Sequence, residues 1–218
     1  MKKNLNQRLI SSLIIIPLSF FFIIKGSYLF NFFLLFCISI CFYEWHFISK
    51  SKIYHSLGFF FLIFSFYSAY ELRNSFGKES LIIFLFVILV CILSDIGGYI
   101  FGNIFKGPKI TKISPNKTFS GMIGAYFFSF LIIYFLEYTY VLFDTTLQWN
   151  SEIFIYIIFV STISQIGDLI VSYFKRLSNI KDTGKIIPGH GGILDRIDGM
   201  IFAFPLTYIM FKLEMLVY

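Results

Sequence analysis

The chain has 218 residues, of which 57% are hydrophobic, 22% aromatic and only 14% charged, with a mean hydropathy of +0.79. An ordinary soluble domain carries about 25% charged residues, so the composition excludes one and points to an all-α, polytopic integral membrane protein. The net charge of +6 does not indicate nucleic acid, because basic residues in a membrane protein set orientation and meet anionic headgroups.

A spanning helix needs about 20 apolar residues, and about seven transmembrane segments follow in chain order, near 9–24, 28–45, 56–70, 80–100, 121–143, 153–171 and 197–217. The first opens with MKKNLNQRLI. It lacks a small-residue cleavage site, and KGSYLF leads straight into the second span, so it reads as a helix rather than a removable leader. The third is short, and the last begins with polar residues. Cys37, Cys41 and Cys91 lie inside apolar runs without zinc-site spacing and read as small hydrophobes.

Basic residues set the orientation. A cytoplasmic N-terminus places loops 102–120 and 173–192, rich in lysine and arginine, inside. It leaves Lys25, Arg73 and Lys78 outside, beside Glu71, Glu79, Asp144 and Glu152. The chain is one membrane domain, 1–218, with its chemistry in a catalytic half, about 92–200.

Three stretches break the apolar pattern. In the fourth span, LSDIGGYIFGNIF places Asp95 and Tyr99 among glycines, and an ionisable residue at that depth marks a site or a water-filled cavity. The loop that follows ends in SPNKTFSG. It gathers Ser114, Asn116, Lys117, Thr118 and Ser120 just before a helix, where hydroxyls, backbone N–H groups and a lysine suit phosphate oxygens. The third stretch runs from the sixth span into the last. Gln165, Asp168 and Ser172 share a helix face, and Lys175 and Arg176 follow. In PGHGGILDRIDGM, Gly189, Gly191 and Gly192 surround His190, while Asp195 and Asp198, three apart at a helix entry, are expected to project to one face. Crowded carboxylates such as Asp168, Asp195 and Asp198 suit Mg²⁺, which takes one or two of them plus substrate phosphates. A second cation is left open. Salt bridges such as Asp195 with Arg176 are the structural alternative.

The run Ser172, Lys175, Arg176, Lys181, Asp182, Pro188, His190, Gly191, Gly192, Asp195, Arg196 and Asp198 resembles the signature of the phosphatidate cytidylyltransferases, or CDP-diglyceride synthetases. Asp95, Tyr99 and the segment from Ser114 to Gly121 are similar to the family's other recognisable stretch. The resemblance covers roughly the C-terminal half, from Asp95 onward. Many members carry an acidic residue where this chain has Ser120, so no role for that acid is carried over.

The resemblance implies a nucleotidyltransferase that converts CTP and phosphatidic acid to CDP-diacylglycerol and diphosphate in phospholipid biosynthesis. Asp168, Asp195 and Asp198 would then hold Mg²⁺. Lys175, Arg176, Lys181, Lys185 and Arg196 would contact phosphates, and His190 would either contact one or brace the glycine loop. The implied partners are CTP, phosphatidic acid and the bilayer, with a homodimer left open and no nucleic acid. The implied location is the bacterial inner membrane, with the site facing the cytoplasm. The alternatives are a CTP-dependent lipid kinase and an ion or solute transporter. A transporter would distribute polar groups through the membrane depth in paired halves, whereas here they cluster on one side. A CDP-alcohol phosphotransferase would show a spaced D-G and A-R pattern that the chain lacks.

Overall fold

In a computed structural model of the chain, residues 2–50, 52–111, 113–143, 152–189 and 191–213 are described. They form α1 (Lys2–Lys25), α2 (Ser27–Ser49), α3 (His55–Asn74), α4 (Ser80–Phe105), α5 (Phe119–Ser129), α6 (Ile132–Phe143), α7 (Glu152–Leu177), α8 (Leu194–Ile197) and α9 (Met200–Lys212), with one short 3₁₀ turn at Gly77–Glu79. The described residues contain no strand, only the isolated bridges Lys109 to Thr118 and Ile187 to Gly191. The all-α, polytopic expectation is therefore met. Among the described residues, four helical segments are long and apolar enough to cross a membrane: Ser27–Ser49, Gly77–Phe105, Phe119–Thr139 and Glu152–Leu177. Two shorter apolar helices, Ile10–Lys25 and Met200–Lys212, accompany them.

The boundaries differ from the sequence reading in two informative places. The expected span 121–143 is broken at Phe130 and Leu131 into α5 and α6. There Ser129 Oγ turns back onto the Ala125 carbonyl at 2.7 Å, a contact that bends helices. The entry to the last span is also broken, so that α8 ends at Ile197 and α9 starts at Met200. Gly199 lies in this break, packed so tightly on Ser164 that a Cβ would fall on the serine hydroxyl.

Packing follows from where the apolar side chains concentrate. The segment containing α4 buries 56% of its most apolar window, against 28–33% in the other three spans. This makes α4 the central helix and leaves the outer faces of the other three spans broadly exposed. Val87, Val90 and Cys91 of α4 are buried with Ile132 and Leu136 of α6, Ile157 and Val160 of α7, and Ala203 of α9. Phe84 stacks on Phe204 of α9, with ring centroids 5.1 Å apart.

Helix ends are finished by polar contacts. Arg73 of α3 donates to the Ile23 carbonyl (2.9 Å) and the Ile24 carbonyl (3.3 Å), satisfying acceptors that the end of α1 leaves open. α4 and α5 form a tight hairpin because Gly97 faces Gly124, where a Cβ on either residue would fall on its neighbours. These connections bring the end of α2, the end of α4, the start of α5, the end of α7 and the start of α9 to one end of the bundle.

Candidate active site

The carboxylates meet at that end. Asp168, near the end of α7, accepts from Ser172 Oγ at 3.2 Å, as their spacing predicted. Its other oxygen pairs with Lys117 Nζ at 2.6 Å, and the same ammonium donates to the Gln165 carbonyl at 3.2 Å. Asp198, in the break before α9, lies close enough to Asp168 for the two carboxyls to interact directly. It also accepts from the Gly199 N–H at 3.0 Å. Asp95 on α4 is within electrostatic reach of both, with Lys117 and Arg196 as its positive neighbours. Behind them, a polar ladder joins α4 to α7: Ser94 Oγ and Ser161 Oγ are 2.9 Å apart, and Gln165 Nε2 reaches Ser161 Oγ at 3.3 Å.

Asp195 does something different. Asp195 and Asp198 sit three apart on backbone that keeps helical angles through Asp198 and Gly199, yet they take different partners. Asp195 Oδ1 pairs with Lys175 Nζ at 2.8 Å rather than with Arg176. Its Oδ2 accepts from the N–H groups of Thr183 (2.7 Å) and Gly192 (3.0 Å) and lies 3.1 Å from Thr183 Oγ1. It thereby fastens the glycine-rich loop to α7. Arg176 instead donates to the Ile180 carbonyl at 3.0 Å.

The loop between α4 and α5 is a small hairpin. Ile110 N–H donates to the Lys117 carbonyl (3.0 Å), Phe119 N–H to the Pro108 carbonyl (3.0 Å) and Lys117 N–H to the Ser114 carbonyl (3.1 Å). Thr118 caps α5 by accepting from Gly121 N–H at 3.1 Å, a standard N-cap role. The hairpin carries Lys117 onto α7, while Asn116 stays exposed and Ser114 half-buried.

Other expected residues sit at the margin. Tyr99 is 74% exposed. Lys181, Asp182, Lys185 and Arg196 are exposed on and beside the glycine loop. Gly191 has φ 89°, a conformation that favours glycine. His190 lies outside the described residues.

Two residues that the sequence reading passed over complete the loop. Glu44 of α2 is fully buried, and its carboxylate accepts from Thr183 Oγ1 (2.8 Å), Ile193 N–H (3.0 Å) and Leu194 N–H (2.8 Å). Thr183 is itself buried. The signal for Glu44 was present: it is an ionisable residue inside the apolar run FYEWHF, the same criterion that drew attention to Asp95.

Among the described residues, no three carboxylate, imidazole or thiol groups are arranged to hold a metal together. The donor chemistry nevertheless fits Mg²⁺ at Asp168 and Asp198, whose adjacent hard oxygens suit a cation that also takes phosphate ligands. Asp195, with Oδ2 accepting from the loop and Oδ1 on Lys175, serves the loop in this arrangement.

Comparison with known proteins places these residues in a wider set. Residues 49–214 match the cytidylyltransferase family. A phosphatidate cytidylyltransferase of Staphylococcus saprophyticus is 41% identical over 161 residues, covering 73% of this chain and 56% of that protein. One from Staphylococcus aureus strain COL is 36% identical over 168 residues, with the same coverages of 73% and 56%. One from Staphylococcus epidermidis strain ATCC 35984 is 39% identical over 143 residues, covering 65% of this chain and 52% of that protein. The chain thus spans about half the length of the relatives it matches.

Proposed function

The chain belongs to the cytidylyltransferase family, and on that premise we propose that it transfers the cytidylyl group of CTP to phosphatidic acid, giving CDP-diacylglycerol and diphosphate. The observation that carries the reading is the meeting of the Asp168 and Asp198 carboxyls beside the Lys117 ammonium, with Lys175 held one loop away by Asp195.

A phosphate oxygen of phosphatidic acid forms the new bond to the α-phosphorus of CTP. The bond from that phosphorus to the oxygen bridging to the β-phosphate breaks, and the electron pair leaves with diphosphate. The attacking oxygen is already anionic near neutral pH, so no general base is needed. The difficulty is bringing two polyanions together and stabilising the leaving group, which is work for fixed cations in a positioned site. Asp168 and Asp198 would hold Mg²⁺, which would supply charge to neutralise crowded phosphate oxygens. Lys117 stands beside that position and can exchange Asp168 for a phosphate oxygen. Lys175, oriented by Asp195, faces the same end of the bundle. Lys181, Lys185 and Arg196, exposed at its rim, draw anionic substrates in.

With the N-terminus in the cytoplasm of a bacterial inner membrane, this end of the bundle receives CTP from water and the lipid laterally from the bilayer. The test is incorporation of cytidine-labelled CTP into lipid by the purified protein, with phosphatidic acid and Mg²⁺, alongside diphosphate release. Equal amounts of both products support nucleotidyl transfer. Release of CDP with unlabelled phosphorylated lipid would instead establish a kinase.

A further inference from the structure

Glu44 lies in α2, outside the segment 49–214 that matches the family, yet its hydrogen bonds go to the loop at the heart of that segment. All three donors, Thr183 Oγ1, Ile193 N–H and Leu194 N–H, belong to the stretch between α7 and α9. Among the described residues, this fully buried carboxylate has no ion-pair partner, so these donors carry its charge. Burying a carboxylate is costly unless its oxygens are satisfied, and here the loop supplies the satisfaction.

The loop is shaped around this anion. A Cβ on Gly184 would lie 2.8 Å from Glu44 Oε1, and one on Gly192 would fall on Thr183 Oγ1 and Glu44 Oε2. Thr183 Oγ1 stands between two carboxylates, 2.8 Å from Glu44 Oε2 and 3.1 Å from Asp195 Oδ2, with one proton to donate. Glu44, Thr183, Asp195 and Lys175 therefore form a continuous chain from α2 to α7.

We infer that Glu44 is a positioning residue for nucleotidyl transfer: a buried anion on α2 that fixes the loop 183–194, and through it the Asp195 carboxylate that orients the Lys175 ammonium. The inference rests on the proposed function for what Lys175 does. The anchoring itself does not depend on that reading.

Glu44→Gln keeps the shape but puts an amide donor where a backbone N–H or the Thr183 hydroxyl already donates. Glu44→Asp keeps the charge on a shorter arm. The full-length protein, purified in detergent, is assayed for kcat and KM with CTP and phosphatidic acid, and for trypsin cleavage at Lys181 and Lys185, which are exposed in the loop. Glu44→Gln is expected to lower kcat per folded molecule by about tenfold or more, with KM for CTP changed by less than about threefold. Cleavage in the loop should accelerate by about tenfold as local opening becomes easier. Glu44→Asp should recover part of both effects. Thr183→Val, which removes the shared hydroxyl and leaves α2 untouched, should move both readouts the same way and carries the test if Glu44→Gln does not fold.

Wild-type kcat in Glu44→Gln would overturn the inference, as would lost turnover with an unchanged cleavage rate. If the wild-type protein makes no CDP-diacylglycerol, the functional reading falls. The proteolysis comparison still decides whether Glu44 holds the loop.

Discussion

Lys117, at the start of the α5 hairpin, docks on α7 through both a side chain and the backbone: its Nζ is 2.6 Å from Asp168 Oδ2 and 3.2 Å from the Gln165 carbonyl. A residue that served only to keep its loop on the basic side of the membrane would need neither contact. The two side chains are 23% and 30% exposed, and partly solvated pairs contribute at most about 1 kcal/mol to stability. Lys117→Met is therefore expected to fold normally and to lose about 100-fold or more in turnover, the scale of removing one preorganised charge from a reaction site. Lys117→Arg should fall between the two, because a planar fork cannot reproduce an ammonium that serves two acceptors. Steady-state kinetics and thermal unfolding of the same samples check this, and full activity in Lys117→Met would make the lysine a tether.

The Lys175 and Asp195 pair belongs to another energetic class, since the two side chains are only 10% and 5% exposed. Removing one partner of a buried pair costs about 3–5 kcal/mol, because the other charge is left without compensation. Asp195→Asn and Lys175→Met should each lower both the unfolding midpoint and the activity. The double variant should recover part of the stability, though not the activity. A double-mutant cycle on unfolding free energy measures the coupling, and additive losses would show that the pair acts independently.

The helical class, the apolar helices and the two polar loops between them were legible in the sequence because composition and hydropathy directly encode burial, although among the described residues four helices, not seven, are long and apolar enough to cross a membrane and α3 is not one of them. The facing of Asp168 and Ser172 was legible too, since helical spacing fixes it. The separate fates of Asp195 and Asp198 were not. Their spacing places them on one helix face but does not say which partner each takes: Asp195 goes to Lys175 and Asp198 to Asp168. Glu44 carried a local signal as an ionisable residue inside an apolar run, but its partners lie 139–150 residues away in the chain, so no local pattern shows what it holds. Tyr99 and Asp95, four apart on α4, are both exposed, as expected of two residues on one helix face.

The glycine face between α4 and α5 yields a prediction about the scaffold. A Cβ on Gly124 would fall on Phe101 and lie 2.7 Å from the Gly97 carbonyl, so Gly124→Ala must push α5 away from α4. Overpacking of this kind costs about 1–3 kcal/mol, and the melting temperature should drop by about 2–12 °C. The Lys117 hairpin rides on α5, so KM for CTP should rise as well. A variant that loses stability without any kinetic change would show that the hairpin is held by its own hydrogen bonds rather than by α5.

Asp168 and Asp198 supply the most direct test of the proposed cation site. Two facing carboxyls either repel, share a proton or hold a cation, and each choice leaves a different signature. In Asp198→Asn, an amide oxygen can still accept the Gly199 N–H that Asp198 takes at 3.0 Å, so the local fold has no reason to fail. Its stability in EDTA should equal or exceed that of the wild-type protein, because one of two like charges is gone. Turnover should fall by about 1,000-fold or more if the lost charge is a metal ligand at the reacting phosphates. Added Mg²⁺ should raise the unfolding midpoint of the wild-type protein, by the equivalent of about 2.7 kcal/mol at one hundred times its dissociation constant. It should leave Asp198→Asn and Asp168→Asn unmoved. A variant that is less stable in EDTA and still gains the full Mg²⁺ shift would place the cation on other oxygens, and would return Asp195, freed from Lys175 by a loop movement, to the ligand set.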